Sequence, residues 1–378
     1  MKPSAVSALL AVSFVSLACA SQYVSSRVPS STLTPALFPG EQWGPAEDAL
    51  AKRILDSSVE TARKNASGGI VHRYALPKHH GCVRARWKTG NVESKVGRQA
   101  GIFSDTGAEY DAWVRFSNGS PSGATATDAD ADVRGLAVKL MGVKGTPIGS
   151  QDFVMMTSPR FFSKDAADYM DLHEALTKGG LHLVKYLAMN PRNAIIVNGA
   201  RVKMENPLGP TYFSPVPSRI GDSSMRFKMV PCGAVPAAKD KKNPNFLRQA
   251  LVDTLAKQNA CFDFYVQVNE NPVRNPIEDP RLDWDEAESP YLLAGRLSIP
   301  KQSGIDSPEQ LAFCENVSFS PWNTQEEIRP LGQINRIRKV VYDGVAAFRR
   351  GENRVTPAEP VNLEPCTTAA SASLCQAR

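Results

Sequence analysis

The run Arg338-Lys339-Val340-Val341-Tyr342 puts a tyrosine four residues after an arginine, and Arg349 follows seven residues later. On a helix, positions 338, 342, 345 or 346, and 349 share one face. A phenol oxygen set between guanidinium groups has a chemical use. A nearby positive charge favours phenolate over phenol, and phenolate is a hard anionic ligand suited to ferric haem. The second arginine would hold a carboxylate of the bound group through a two-point pair. The same spacing also suits a surface helix whose basic side chains snorkel around a buried tyrosine.

Other candidate groups are fewer. His79 and His80 are adjacent, so on a strand they point to opposite faces, and with Cys82 they lack a second ligand pair at zinc spacing. His173 and His182 read as packing or surface positions on or after a helix. Asp128, Asp130 and Asp132 alternate, and a solvated turn is expected there rather than a calcium site. Neither a Gly-x-Ser-x-Gly elbow nor a Gly-x-x-x-x-Gly-Lys phosphate loop occurs, which removes the common hydrolase and nucleotide-binding readings.

The elements that must position these residues can be read from hydrophobic period. Apolar residues at helical spacing predict a helix over 46–64, with Leu50, Ile54, Leu55 and Val59 on one face. Strand-like alternation predicts strands at 82–87, 112–116, 135–141, 153–156, 224–230, 262–268 and 292–299, each bounded by turn residues. Helices are predicted at 165–178, 244–258 and, most clearly, 330–351. Many strands without regular intervening helices exclude a doubly wound sheet. The expected class is α+β, an antiparallel barrel of about eight strands with inserted and C-terminal helices.

Composition sets the frame. The 378 residues carry a net charge of +6 with the basic residues spread along the chain, so no nucleic-acid stripe is indicated, while anionic ligands suit the charge. Lys2, an apolar run to Leu17 and the pattern Ala18-Cys19-Ala20 read as a signal peptide over 1–20, too short to span a bilayer, and a soluble exported protein is expected. Six cysteines then remain, an even number suited to an oxidising compartment. Cys366 and Cys375 bracket a small-residue tail and are the expected pair, the other pairings staying open. Three sequons begin at Asn65, Asn118 and Asn316. The domain plan is a signal at 1–20, an extension with one helix at 21–65, the main domain at 66–352 and a tail at 353–378.

Several blocks together resemble the haem catalases and their smaller catalase-like relatives. Arg-x-x-x-Tyr with a later arginine is that family's proximal signature. Trp113 to Gly119 resembles its Arg-Phe-Ser strand, and Asp132 to Leu140 its Asp-x-Arg-Gly-x-Ala-Val-Lys strand. Gln151 to Asp165 resembles the stretch before its first helix, and Phe319 to Asn323 with Arg329 to Arg336 is closest to the smaller relatives. These blocks run in family order from about residue 70 to 350. The resemblance implies a haem b protein acting on a peroxide. It makes Tyr342 the iron ligand, Arg338 its charge partner, Arg115 and Arg349 propionate contacts, Ser117 an edge of the distal pocket, and Phe161 or Phe162 a porphyrin contact.

Two departures bear on activity. The run Leu76-Pro77-Lys78-His79-His80-Gly81 puts Leu76 where the family has its distal histidine, and the distal asparagine falls at Met156 or Thr157. Peroxide cleavage needs a group that takes a proton from one oxygen and returns it to the other, which leucine cannot do. His72, His79 or His80 reaching in, water with Thr157, or the substrate's own groups would have to serve, and His72 is the first candidate. The apolar changes point to organic or fatty-acid hydroperoxides. A haem-binding protein without peroxide chemistry, and a fold that has lost haem, are the alternatives. A homo-oligomer is compatible, but the obligate tetramer of the largest catalases is not implied.

Overall fold

In the computed structural model, residues 36–92, 100–120, 122–366 and 375–377 are described. The expected signal peptide lies outside them. Nine strands form one antiparallel sheet: β1 (Lys78–Thr89), β2 (Glu109–Asn118), β3 (Arg134–Met141), β4 (Ser150–Met156), β5 (Tyr212–Phe213), β6 (Ser218–Ile220), β7 (Ser223–Pro231), β8 (Ala260–Val268) and β9 (Tyr291–Ile299). Short β5 closes the ring by pairing with β4 through Met156 and Phe213 and with β7 through Tyr212 and Met229. Eight strands therefore make a barrel, with β6 added to the edge of β7. All seven predicted strands lie within observed ones. The two that were not predicted, β5 and β6, are only two and three residues long and sit in a proline-rich stretch.

Alternation sorts each strand into two faces. Val83, Ala85 and Trp87 of β1, Ala112, Val114 and Phe116 of β2, and Leu136, Val138 and Leu140 of β3 fill the barrel. There Trp87, Phe153, Phe227 and Phe264 pack ring to ring, with centroids 4.9–5.7 Å apart. The opposite face carries Cys82, Trp113, Arg115, Ser117, Ala137 and Val154. It is covered too, so every residue of β3 is buried.

The cover is helical. Seven helices are described: α1 (Glu47–Lys64), α2 (Ala166–Lys178), α3 (Gly180–Met189), α4 (Pro191–Ala200), α5 (Phe246–Leu255), α6 (Pro308–Asn316) and α7 (Gln333–Asn353). Ile54 of α1, Met170 of α2 and Ile337, Val341 and Val345 of α7 share one apolar cluster, so the N-terminal extension is packed on the main domain. A Cβ on Gly344 would collide with Leu55, which is why α1 and α7 cross there. The sequence predicted four of these helices. It missed α3 and α4 because Gly179 and Gly180, both at positive φ, break the helical period after α2. It missed α6 because nine residues carry little periodicity, although Ser307 caps its first turn.

Two disulfides are described: Cys82–Cys314 ties β1 to α6, and Cys232–Cys261 ties the residue just after β7 to β8. Cys366 is disulfide-bonded as well. The expected Cys366–Cys375 bridge falls outside the described residues on its Cys375 side, although the backbone of Cys375 pairs with Pro360 across a two-stranded ribbon, β10 (Ala358–Pro360) and β11 (Cys375–Ala377). Asn118 cannot carry a glycan in the folded chain, since its amide is fully buried between His80 and Asp128. No described helix is long and apolar enough to cross a membrane.

Candidate functional site

Beside the apolar stripe of Ile337, Val341 and Val345, the adjacent face of α7 presents Arg338 and Tyr342. Arg338 donates through Nη1 to Asn335 Oδ1 at 2.8 Å, which holds Nη2 at 3.4 Å from the Tyr342 hydroxyl, with the guanidinium 5.5 Å from the ring centre. Asn335 and Arg338 line a small cleft with Asp152, Val154 and Val216, so this face of α7 lies against the outer face of β4. Tyr342 is half-buried. Tyr169 of α2, partly buried, lies within electrostatic reach of both Tyr342 and Arg338.

Two turns further along α7, Arg349 enters a buried charge cluster built from four separate segments. Its Nη1 donates to Glu315 Oε1 of α6 at 3.1 Å. Arg73, from the segment before β1, donates to the carbonyls of Cys314, Glu315 and Val317. Arg115 of β2 donates to the Leu76 carbonyl at 2.9 Å. Burial lowers the affinity of each guanidinium for its proton, Arg115 to about 10, with Arg349 adding to that and Glu315 opposing it. On Glu315, burial alone would push the carboxyl up. His72, His79, Arg73 and Arg349 overcome it and hold the group at about 2. Three guanidinium groups thus share one carboxylate, and buried Arg350 lies within electrostatic reach of Arg73. Arg73 Nε, Arg115 Nε and Glu315 Oε2 are buried without a hydrogen-bond partner.

Leu76 lies between this cluster and the barrel wall. Its methyl groups pack over β2 and β3: a Cβ added at Gly135 would stand 2.5 Å from Leu76 Cδ1 and 2.9 Å from Ser117 Oγ. Ser117 is buried there, opposite His79 and Gly135 in the sheet. Leu76 itself adopts φ +53, a left-handed conformation unfavourable for leucine, and the Arg115 bond to its carbonyl helps hold it there. The Thr157 hydroxyl accepts from the Arg134 backbone N–H at 3.1 Å, which leaves its O–H to donate. Met156, Phe161, Val216 and Ile334 form an apolar cluster joined by Phe162, Val133 and Tyr169, and Phe161 and Phe162 stack with centroids 4.3 Å apart.

The histidines divide. His72 sits with Nε2 3.0 Å from Ser67 Oγ and Nδ1 3.6 Å from Glu315 Oε2, inside the charge cluster. His79 Nε2 is also 3.6 Å from Glu315 Oε2, and burial holds its pKa well below the ordinary value. His80 points elsewhere: Asn118 gives its amide hydrogen to Asp128, so its oxygen accepts from His80 Nε2–H at 2.6 Å. His173 is a buried packing residue bonded to Tyr74 and Ser57. Asp128 corrects the expectation of a solvated turn. It is buried, paired with Lys78 at 2.7 Å and capping α5 through the Leu247 N–H. No group of three metal-ligating side chains occurs among the described residues.

The sequence reading missed Arg73 and Glu315. Arg73 stands three residues before Leu76, but nothing in its spacing ties it to α7. Glu315 is placed by α6 and by the disulfide at its neighbour Cys314.

Residues 70–185 match the Catalase family. A fungal catalase superposes with a TM-score of 0.63 at 15% identity, covering 82% of this chain and 65% of its own. The fold is that of the catalases. Catalase A from Saccharomyces cerevisiae gives a TM-score of 0.62 at 14% identity, covering 80% of this chain and 66% of its own. The catalase-like chain thus spans just under two thirds of the length of these two catalases, and at such identities the likeness is one of fold. No curated protein matches the sequence. In this catalase-like fold the site comprises the Arg338–Tyr342 pair, the arginine cluster and the apolar wall at Phe161, Phe162 and Met156. A phenol beside a guanidinium, an arginine-rich buried cluster and flat apolar walls are a donor set that fits haem, an iron centre with two carboxylates. Leu76 itself carries no group that can move a proton.

Proposed function

We propose that this chain binds haem b through Tyr342 and acts as an exported oxidoreductase of organic, including fatty-acid, hydroperoxides. The observation that carries the reading is Arg338 placed 3.4 Å from the Tyr342 hydroxyl on the same helix that delivers Arg349 to a cluster where three guanidinium groups share one carboxylate. When bound, haem supplies a ferric centre that accepts and cleaves peroxides. Tyr342 would be its protein ligand, with Arg338 stabilising the phenolate. Arg73, Arg115 and Arg349 would hold the two propionates. Phe161 and Phe162 would pack on the ring. Leu76 and Met156 keep the substrate side apolar, which favours a substrate with its own alkyl chain over hydrogen peroxide.

A second reading is favoured by Leu76 alone: a haem-binding protein with little peroxide chemistry, since no side chain at that position moves a proton. One experiment separates the two. The purified chain is titrated with haem and its absorption spectrum compared with Tyr342→Phe, after which hydrogen peroxide and a fatty-acid hydroperoxide are added separately. A tyrosinate-type high-spin ferric spectrum that the variant lacks, followed by consumption of the hydroperoxide, is the expected result. A spectrum without peroxide consumption selects the carrier, and no specific uptake overturns both.

A further inference from the structure

We propose that the α3–α4 hairpin docks on the surface of an anionic lipid membrane. Among the described residues, four of the twelve exposed large apolar side chains are gathered here, Leu181, Val184, Met189 and Ile195, with Leu181 84% and Met189 70% exposed, and Leu176 of the adjoining α2 is a fifth nearby in sequence. Exposed apolar groups are ordinary when scattered, but gathered on one short hairpin they mark a contact surface.

The hairpin has two sides. Leu183, Tyr186, Leu187 and Val197 pack inward on Leu172, Ala175 and Phe162. Leu181, Val184 and Ala188, spaced three and four residues apart, fall together on the outer face, with Lys185 among them. That face therefore has a fixed orientation and no partner in the fold.

Charge identifies the occupant. Residues 175–204 contain five lysines and arginines and no aspartate or glutamate: Lys178, Lys185, Arg192, Arg201 and Lys203, all exposed. Among the described residues only Lys178 meets a carboxylate at ion-pair distance, Glu174 at 3.2 Å. On the adjoining α2, Glu174 is further tied to Arg53, and Asp168 accepts from Asn193 and Tyr186. Apolar side chains standing out among exposed cations, of which Lys178 meets Glu174 and Arg192 acts on Asp279, match the acyl boundary and headgroups of an anionic bilayer. The proposal does not depend on haem.

The test is flotation of the full chain with vesicles of phosphatidylcholine alone and of phosphatidylcholine mixed with phosphatidylglycerol. Binding to the mixed vesicles only, weakened by salt, is expected. Lys185→Gln should lower partition roughly fivefold, and Leu181→Asp with Val184→Asp should abolish it while the melting temperature stays unchanged. Three results would overturn the idea: no flotation, flotation indifferent to the double variant, or a dimer in sizing that the double variant converts to monomer, which would make a second copy the occupant.

Discussion

Glu315→Gln tests the charge cluster most directly, because it should move two measurements in opposite directions. In the haem-free protein the carboxylate is the counter-ion of Arg73, Arg115 and Arg349, and these groups with His72 and His79 hold it at about 2 against an ordinary 4.5. That difference is worth about 3 kcal/mol, in line with the loss found when one partner of a buried ion pair is removed. Chemical denaturation of the haem-free variant at neutral pH should report a loss of that size. Haem binding should respond the other way. A haem carboxylate would compete with Glu315 for the same guanidinium groups, and two like charges within one such cluster would repel by about 2 kcal/mol at an effective dielectric of about 20. Removing Glu315 should therefore tighten haem roughly thirtyfold in a spectroscopic titration. Unchanged stability would refute the counter-ion role. Weaker haem binding would show that Glu315 positions the arginines for the ligand instead of competing with it.

Leu76→His should restore the missing proton-transfer group. With haem bound, oxygen evolution from hydrogen peroxide should rise roughly a hundredfold or more, and histidine tolerates the left-handed backbone at 76 better than leucine does. No gain with an intact spectrum would place the reacting oxygen elsewhere. Acid should destabilise the chain in two stages. Burial lowers His80 from 6.5 to about 4, with Asp128 opposing it, so the unfolded chain takes up that proton first. The His80 contribution is complete above about pH 6.5 and is lost as pH falls toward 4, about 3 kcal/mol in all. Glu315 follows between about 4.5 and 2, its ionised form contributing above that range and not below it. Urea unfolding from pH 7 to 4 checks the first stage, and a profile flat there contradicts the buried neutral imidazole.

Much of this protein was legible in one dimension because much of it is local or periodic. The seven longer strands follow from alternation, α7 from its 3.6-residue period, and the Arg338–Tyr342 pair from four-residue spacing on that helix. Sequence order and the resemblance then supplied the barrel and the departures at Leu76 and Thr157. The tertiary structure decided what joins segments distant in the chain. Residue types did not indicate that Arg73, Arg115, Glu315 and Arg349 converge, because β2 and α7 meet only after the barrel closes and α6 is set beside β1 by Cys82–Cys314. Likewise, whether Asp128 is solvated or buried depends on Lys78 and α5 arriving from either side of it. The sequence by itself determined which elements form and which helix carries the tyrosine, since backbone hydrogen bonding and side-chain period act over a few residues. The folded barrel alone decided which charges share a site, since electrostatic neighbours are set by packing across hundreds of residues.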